Sequence, residues 1–598
     1  MINTDFKQLQ ILHSRNANPN WINGSLYKLL YKEDLYIMAY ESIKCNHGSL
    51  TLGTSKESLD GFSLMSIQKL IKNIRNESFQ FGRARRVQIP KPGGGFRPLG
   101  IPNPRDKIVQ SAIHIILEAI YDSKYSPTFS LHSHGFRRNH SCHTALQQLQ
   151  RSWNGINWIV EGDISKCFDQ IDHHILISLL KRRITDERFL NLIWKALRAG
   201  YMEFHIPVNS ISGTPQGSIV SPILCNIYLH ELDLFIQNRS FELTKGKRKP
   251  PTPQYRNLSA TIERERRKYN RLCKTTYLHK DPSPERLTSL ARIKSLRKQL
   301  LKTSASNALD FVRIKYLRYA DDWILGISGN HELAQQLKSE IQSFLFEKLS
   351  LNLNLEKTHI RHAKSQEIFF LGTRIRIGAV NQKYKKVKIG SLRILRRVAG
   401  WTPMLYAPID RTVKRCISSG FCDANQKPIP KNAWTILEEK EIIQRYNLVL
   451  GGILNYYSFA HNWSELTRIH HLLKMSLAKT LANKFKISKA KVFATRPELL
   501  KPFESFKRGF KVSAVKDVLQ IYGMKRSKSA LNRPCRICGT TALVEMHHVK
   551  HIRKGLQAPK SFTAVMARLN RKQIPVCQSC HRKIHRGEYN SLSLKDLA

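Results

Sequence analysis

The chain has 598 residues, 41% of them hydrophobic and 24% charged, with 99 Lys and Arg against 44 Asp and Glu and a formal net charge of +55. Ordinary globular cores over several domains are affordable, and wholesale disorder is not expected. The charge lies far above the magnitude of about 2–8 that suits a small soluble domain; it calls for a polyanion, nucleic acid ahead of an anionic membrane surface, and argues against secreted hydrolases and small-metabolite enzymes.

In chain order, the first 16 residues are polar, contain Asp5 and show neither the apolar centre of a secretory signal nor an evident organellar presequence. The most apolar stretches, 111–120 and 219–229, are broken by polar residues or Pro and fall short of the ~20 apolar residues of a membrane span; a soluble protein is expected. Residues 1–61 form an N-terminal extension with no legible motif. From 62 to 377, short β-branched runs alternate with amphipathic segments, which predicts an α+β domain. A basic insertion at about 238–309 (KGKRKPPTPQ, then ERERRKYNRL) reads as a solvated element or a phosphate-tracking arm, and the two are compatible. Residues 378–522 read as mainly helical, 523–534 as a basic linker, and 535–598 as a compact Cys/His-rich module.

Within 62–377, Asp163 ends the apolar run 158–160, and Ala320-Asp321-Asp322 lies between two β-rich runs in KYLRYADDWILGI, a hairpin presenting two acids at its turn. Three acids at strand ends can hold two divalent cations, roughly 3.5–4 Å apart, to activate a primer 3′-hydroxyl and neutralise a leaving pyrophosphate; oxygen ligands favour Mg²⁺. Adjacent acids in a turn are usually just solvated, but the apolar flanks, the separate Asp163 and the basic chain favour a site. Lys91 and Arg97 flank Gly93-Gly94-Gly95, either a plain basic hairpin or a tip that places two cations on a triphosphate. Pro215-Gln216-Gly217 offers close backbone approach and an amide. Phe168 reads from its surroundings as core, and Lys357 equally well as a surface lysine. Near the C-terminus, Cys535 and Cys538 pair with Cys577 and Cys580 in structural-zinc spacing. His547 and His548 lie between the pairs. His581 and His585, four apart, share a face if their segment is helical.

These motifs resemble those of group II intron-encoded proteins, which combine reverse transcriptase and maturase. The resemblance is carried by VQIPKPGGGFRPL (87–99), HGFRRNHSCHTAL (134–146), SGTPQGSIVSPILCNIYL (212–229), YADD (319–322), LNLNLEKTHI (351–360) and FLGTRI (370–375), in order. EIIQRYNLVLGGILNYYSFAHN (441–462) and SLAKTLANKFK (476–486) match the thumb and maturase region, and the Cys/His block resembles an HNH endonuclease. The implied fold is multidomain α+β: right-hand fingers and palm at 62–377, a helical thumb/maturase (X) domain at 378–522, and a small ββα-metal (HNH) zinc module at 535–598. The implied activities are RNA-directed DNA polymerase, intron splicing and DNA endonuclease supporting intron mobility, with a splicing-only maturase as the alternative. Asp163, Asp321 and Asp322 would be catalytic and bind Mg²⁺; Lys91, Arg97, Phe168 (as steric gate), Gln216 and Lys357 would contact the dNTP. His548 would be the endonuclease base, with His547, His581 and His585 on its divalent cation, Mg²⁺ by the resemblance, and the four cysteines on structural Zn²⁺. Expected partners are the host intron RNA, target DNA and dNTPs, with no membrane and a homodimer as an option. An organelle-encoded, mitochondrial protein is expected, with chloroplast or bacterial cytoplasm as alternatives. The family's central Asn is poorly matched, Asn570 being nearest, and Gly451 stands where many relatives have a basic residue.

Overall fold

The computed structural model describes residues 4–512, 533–548 and 573–589, apart from 45, 47, 49–50, 56, 91–93, 124, 204–205, 209–212, 215–216, 245–249, 276–283, 304–310, 380–383, 390–391, 398–400 and 498. Helices α1 (Thr4–Arg15) and α2 (Glu33–Ile43) join the main core: Leu9, Leu12, Leu30, Tyr36 and Tyr40 are buried in one cluster with residues of the following domain. Helix α3 (Leu64–Arg75) starts where the Ser63 hydroxyl accepts from the Ser66 amide, satisfying one of the donors left free at a helix N-terminus. Strands β1 (Ala84–Pro90) and β2 (Phe96–Ile101) form an antiparallel hairpin. Helix α4 (Pro104–Tyr121), with Pro in its first turn, is buried along nearly its whole length and is the axis of this core. Helix α5 (Cys142–Ser152) is fixed by a reciprocal Ser141/Thr144 capping box.

Strand β3 (Trp158–Gly162) leads into helices α6 (Cys167–Gln170), α7 (His173–Lys181) and α8 (Glu187–Arg198). The last buries Phe189, Leu190, Ile193 and Leu197, the three- and four-residue spacing of a core-facing helix. Short strands β4 (Tyr201–Glu203) and β5 (Ile206–Val208) extend the first hairpin to the order β2-β1-β4-β5. After α9 (Ser221–Leu243), the basic insertion forms two long helices, α10 (Pro253–Thr275) and α11 (Pro284–Lys302), packed side by side and joined by an Arg292–Glu265 ion pair of 3.4 Å. The central sheet then assembles from β6 (Arg313–Tyr319), β7 (Asp322–Ser328) and, after α12 (His331–Leu349), β8 (His359–His362), in the order β6-β7-β3-β8.

The region expected to be mainly helical from 378 begins instead with strands. β9 (Ile368–Phe370), β10 (Thr373–Ala379) and β13 (Trp401–Tyr406) form one sheet, and β11 (Tyr384–Ile389) pairs with β12 (Leu392–Arg397). Helices follow: α13 (Ile409–Ser418), α14 (Glu439–Tyr456), α15 (Thr467–Phe485) and α16 (Lys489–Thr495), around a second core containing Tyr446, Leu450, Leu473 and Leu477. The C-terminal module is a hairpin of β14 (Val544–His548) and β15 (Gln573–Cys577) followed by α17 (Gln578–Arg586). The 523–532 part of the expected linker and Asn570 lie outside the described residues. Among the described residues, no helix is long and apolar enough to cross a membrane.

Candidate active sites

Antiparallel pairing of β3 with β7 sets Gly162 opposite Trp323, so Asp163 leaves its strand beside Asp322. Gly162 is required there: a Cβ would lie 2.1 Å from the Trp323 ring. The β6–β7 turn consists of Ala320 and Asp321, closed by the Tyr319–Asp322 pair. Ala320 has φ +58°, a left-handed conformation unusual for a residue with a side chain.

A buried polar network holds that turn. The Arg318 guanidinium, fully buried, donates from Nε and Nη2 to the two Asp233 oxygens, each at 2.7 Å, and from Nη1 to the Ala320 carbonyl at 3.0 Å and Asn226 Oδ1 at 3.1 Å. Tyr316 donates its hydroxyl to Asp233 at 2.9 Å. Asn226 in turn donates to the Gly135 carbonyl at 2.8 Å, and Gly135 passes so close over the turn that a Cβ would be 2.3 Å from the Ala320 amide. Burial alone would raise the Asp233 pKa, but Arg318 outweighs it and holds the carboxyl at about 2. None of Arg318, Asp233 and Asn226 was expected from sequence; the available signal was a charge inside an apolar strand and another inside an apolar helix.

Around the acids, burial and then the charges of Asp321 and Asp163 push Asp322 up to about 7, and burial pushes Asp321 upward. Carboxylates gathered in this way fit oxygen-ligand divalent cations, whose charge removes the repulsion. Lys357 Nζ lies 2.7 Å from Asp163 Oδ2, and this bond raises the lysine pKa. Asn354 donates to the same carboxylate at 3.3 Å. Arg97, on the exposed part of β2, acts electrostatically on Asp321. Phe168 is buried, its ring 6.2 Å from the exposed Phe136 in an edge contact. Its carbonyl accepts from the Thr214 amide at 2.7 Å. Gly217, φ +108°, lies so close to β2 that a Cβ would be 2.4 Å from the Gly100 carbonyl. Lys91 and Gln216 lie outside the described residues.

Tyr456 and Tyr457, candidates for base stacking or bundle packing, donate their hydroxyls to the Leu371 and Gly372 carbonyls at 2.5 and 3.0 Å. They tie the helical region to the β9–β10 hairpin.

In the C-terminal module, Cys535, Cys538, Cys577 and Cys580 bring their sulfurs within 4.8 Å of one another, with Cys538 and Cys577 3.6 Å apart. Zn–S bonds of about 2.3 Å in a tetrahedron require about 3.8 Å between sulfurs, so the four thiols fit structural zinc. A second group gathers His547, His581 and His585 with Asp60 from the N-terminal region, again within 4.8 Å. His581 and His585 share the inner face of α17, as their spacing predicted. Burial would lower the His581 pKa, but hydrogen bonds to Asp60 and Glu545 raise it to about 9. For His548, the final residue of β14, only the backbone is described; it lies opposite Gln573. Asp60 was missed because no spacing rule links it to residues at the other end of the chain.

Three family models match the chain: "Reverse transcriptase (RNA-dependent DNA polymerase)" over 89–246, "Type II intron maturase" over 402–525, and "AI2M/AI1M-like, HNH endonuclease" over 535–581. Similar curated proteins include the putative COX1/OXI3 intron 1 protein of Saccharomyces cerevisiae, 35% identical over 98% of this chain and 72% of its own length. An uncharacterized 91 kDa protein in the cob intron of Schizosaccharomyces pombe is 36% identical over 98% of this chain and 73% of that protein. The group II intron-encoded protein LtrA of Lactococcus lactis is 33% identical over 96% and 97%. With palm acids, helical region and Cys/His module in that order, this chain belongs to the group II intron-encoded proteins, multifunctional enzymes that join reverse transcriptase, maturase and HNH endonuclease in one polypeptide.

Proposed function

We propose that Asp163, Asp321 and Asp322 hold the divalent cations of the polymerase, Mg²⁺ in our reading, and that Arg97, Phe168 and Lys357, with Lys91 and Gln216, contact the incoming deoxynucleotide. The observation that carries this reading is the convergence of the β3 end and the β6–β7 turn, which brings three acids together at one end of the two central strands. Cations bound there would neutralise triphosphate charge and polarise the attacking hydroxyl. The chain's own residues orient and select. Arg97 faces the acids and can bind phosphate oxygens; the Phe168 ring, braced by Phe136, excludes a 2′-hydroxyl; Lys357 keeps an ammonium beside Asp163.

In the C-terminal module, His547, His581 and His585 hold the endonuclease cation and His548, at the adjoining strand position, removes a proton from the attacking water. The imidazole-rich donor set suits a transition-metal ion such as Zn²⁺ better than Mg²⁺, and among the hard cations Mn²⁺ better than Mg²⁺. Cys535, Cys538, Cys577 and Cys580 bind structural zinc. Intron RNA is the ligand of the maturase region; target DNA and dNTPs are the further substrates, and the fungal relatives support a mitochondrial setting.

The test compares Asp321→Asn and His548→Ala with the wild type in primer extension on an RNA template, intron splicing and strand-specific DNA nicking. Asp321→Asn should lose extension alone and His548→Ala nicking alone. Extension by Asp321→Asn at the wild-type rate would remove the polymerase assignment, and a wild type that splices without extending or nicking would favour the splicing-only reading.

A further inference from the structure

The endonuclease-type centre reaches outside its own module. Asp60 lies in the loop before α3, yet its Oδ2 is 3.9 Å from His547 Nδ1, 3.6 Å from His581 Nε2 and 3.4 Å from His585 Nε2. His581 and His585 Nε2 are 3.0 Å apart. Ligand atoms about 2.1 Å from one ion lie about 3.4 Å apart in a tetrahedron and about 3.0 Å apart at neighbouring octahedral positions, so these separations fit one ion, and a six-coordinate ion such as Mn²⁺ keeps two positions open for water and substrate. A single cation can accept one donor atom from each of the four groups at once.

The surroundings point the same way. His581 Nδ1 contacts Glu545 Oε2 at 2.7 Å, which orients the ring with Nε2 toward Asp60, the arrangement that carboxylates impose on metal-binding histidines. Two backbone hydrogen bonds bring Asp60 into place: Gly61 donates to the Met546 carbonyl at 3.0 Å, and Met546 donates to the Phe62 carbonyl at 3.2 Å. Gly61 has φ +79°, and a Cβ there would meet Glu545 Oε2 at 3.2 Å, so the loop is built to pass this close. The Asp60 side chain is only 7% exposed.

We propose that Asp60 is the fourth protein ligand of the divalent cation held by His547, His581 and His585, so that the ion clasps the C-terminal module onto the N-terminal region. The proposal rests on the cation assignment for those three histidines. By linkage, an ion that binds the docked arrangement more tightly than the undocked one stabilises docking to the same extent.

The experiment uses the full-length protein with its structural zinc. Mn²⁺ binding is measured by calorimetry with Asp321→Asn present in every protein compared, so that the proteins differ only at the histidine site, and hydrogen exchange at the Gly61 and Met546 amides is followed with and without Mn²⁺. In the wild type, Mn²⁺ should slow exchange at both amides by about tenfold or more. Asp60→Asn should weaken Mn²⁺ binding by at least the ~10–100-fold typical of losing even a supporting metal-site partner, and abolish the slowing; Asp60→Glu, which keeps a carboxylate, should recover part of both. Zinc content equal to wild type shows that the module of each variant is folded. Unchanged Mn²⁺ binding in His585→Ala would overturn the histidine site itself. Loss of the ion in His585→Ala, with wild-type affinity and slowing in Asp60→Asn, would overturn the role of Asp60 and leave the histidine site standing.

Discussion

The two centres hold their acids and imidazoles by opposite means. The aspartates stand on a four-stranded sheet over an extensive apolar core, and the turn that presents two of them is braced from beneath by a fully buried Arg318–Asp233 pair. Among its described residues, the Cys/His module has a buried core of Cys535, Ile574, Val576, Cys577 and Cys580, with Ile537 and Ile584 packed against it. For a core of that size, metal ligation by the four cysteines is the source of folding energy that we propose. In the palm the scaffold rests on its own apolar core; in the module the proposed zinc would be part of the structure.

The sharpest way to break this contrast is to remove a thiolate. Cys535→Ser should unfold the module, because structural zinc contributes roughly 10 kcal/mol or more in small modules. Limited proteolysis would then cut within 535–589, while primer extension on an annealed template persists. Extension lost together with the zinc would mean that the two regions fold as one unit.

A weaker but still large effect is expected in the palm. Arg318→Met strands a buried Asp233 carboxylate, and breaking such a pair costs about 3–5 kcal/mol. Denaturant midpoints and extension rates should both fall, and adding Asp233→Leu should recover most of the stability but not the turn geometry. The acid dependence follows from the lowered Asp233 pKa. Its contribution is complete above the unfolded carboxylate value near 4 and is lost as pH falls through about 2, so the wild type should show an acid transition there that the double variant lacks.

Next is Phe168→Val, which removes buried ring atoms worth roughly 2 kcal/mol. Incorporation of ribonucleotides should rise relative to deoxynucleotides; a destabilised enzyme with unaltered sugar preference would assign Phe168 to the core alone. The smallest effect belongs to Lys357→Ala. Its pair with Asp163 is two-thirds exposed on the lysine side, so stability should change by less than about 1 kcal/mol. A fall in extension rate well beyond that would give Lys357 a part in nucleotide chemistry.

The same contrast explains what could be read from sequence. The palm strands and their turn were legible because two apolar runs flank adjacent acids, a local pattern. The four cysteines and the α17 histidines were legible for the same reason. The run KKVKIGSLRILRR, now within β11 and β12, was read as helix because closely spaced cations and aliphatics satisfy both periods over so short a stretch. Arg318 was in plain view beside the acids on β6, but its partner Asp233 lies on helix α9, and pairing across the fold leaves no trace in spacing. Residues 1–61 carried no motif because their contribution is tertiary: apolar side chains in a shared core, and one carboxylate facing the far end of the chain.

The backbone contact between residues 61–62 and Met546 has a practical consequence for anyone shortening this enzyme to its polymerase. Met546 is buried in the main core, the Tyr40 hydroxyl would lose its hydrogen bond from Gln573, and the Gly61 amide and Phe62 carbonyl would lose their Met546 partners. Phe62, stacked on Tyr40 at 5.0 Å, would lose its roof. Unpaired edges beside bare aromatics recruit other chains. A trimmed reverse transcriptase should therefore carry a segment that pairs with residues 61–62, or it will find in its neighbours the partner it was cut from.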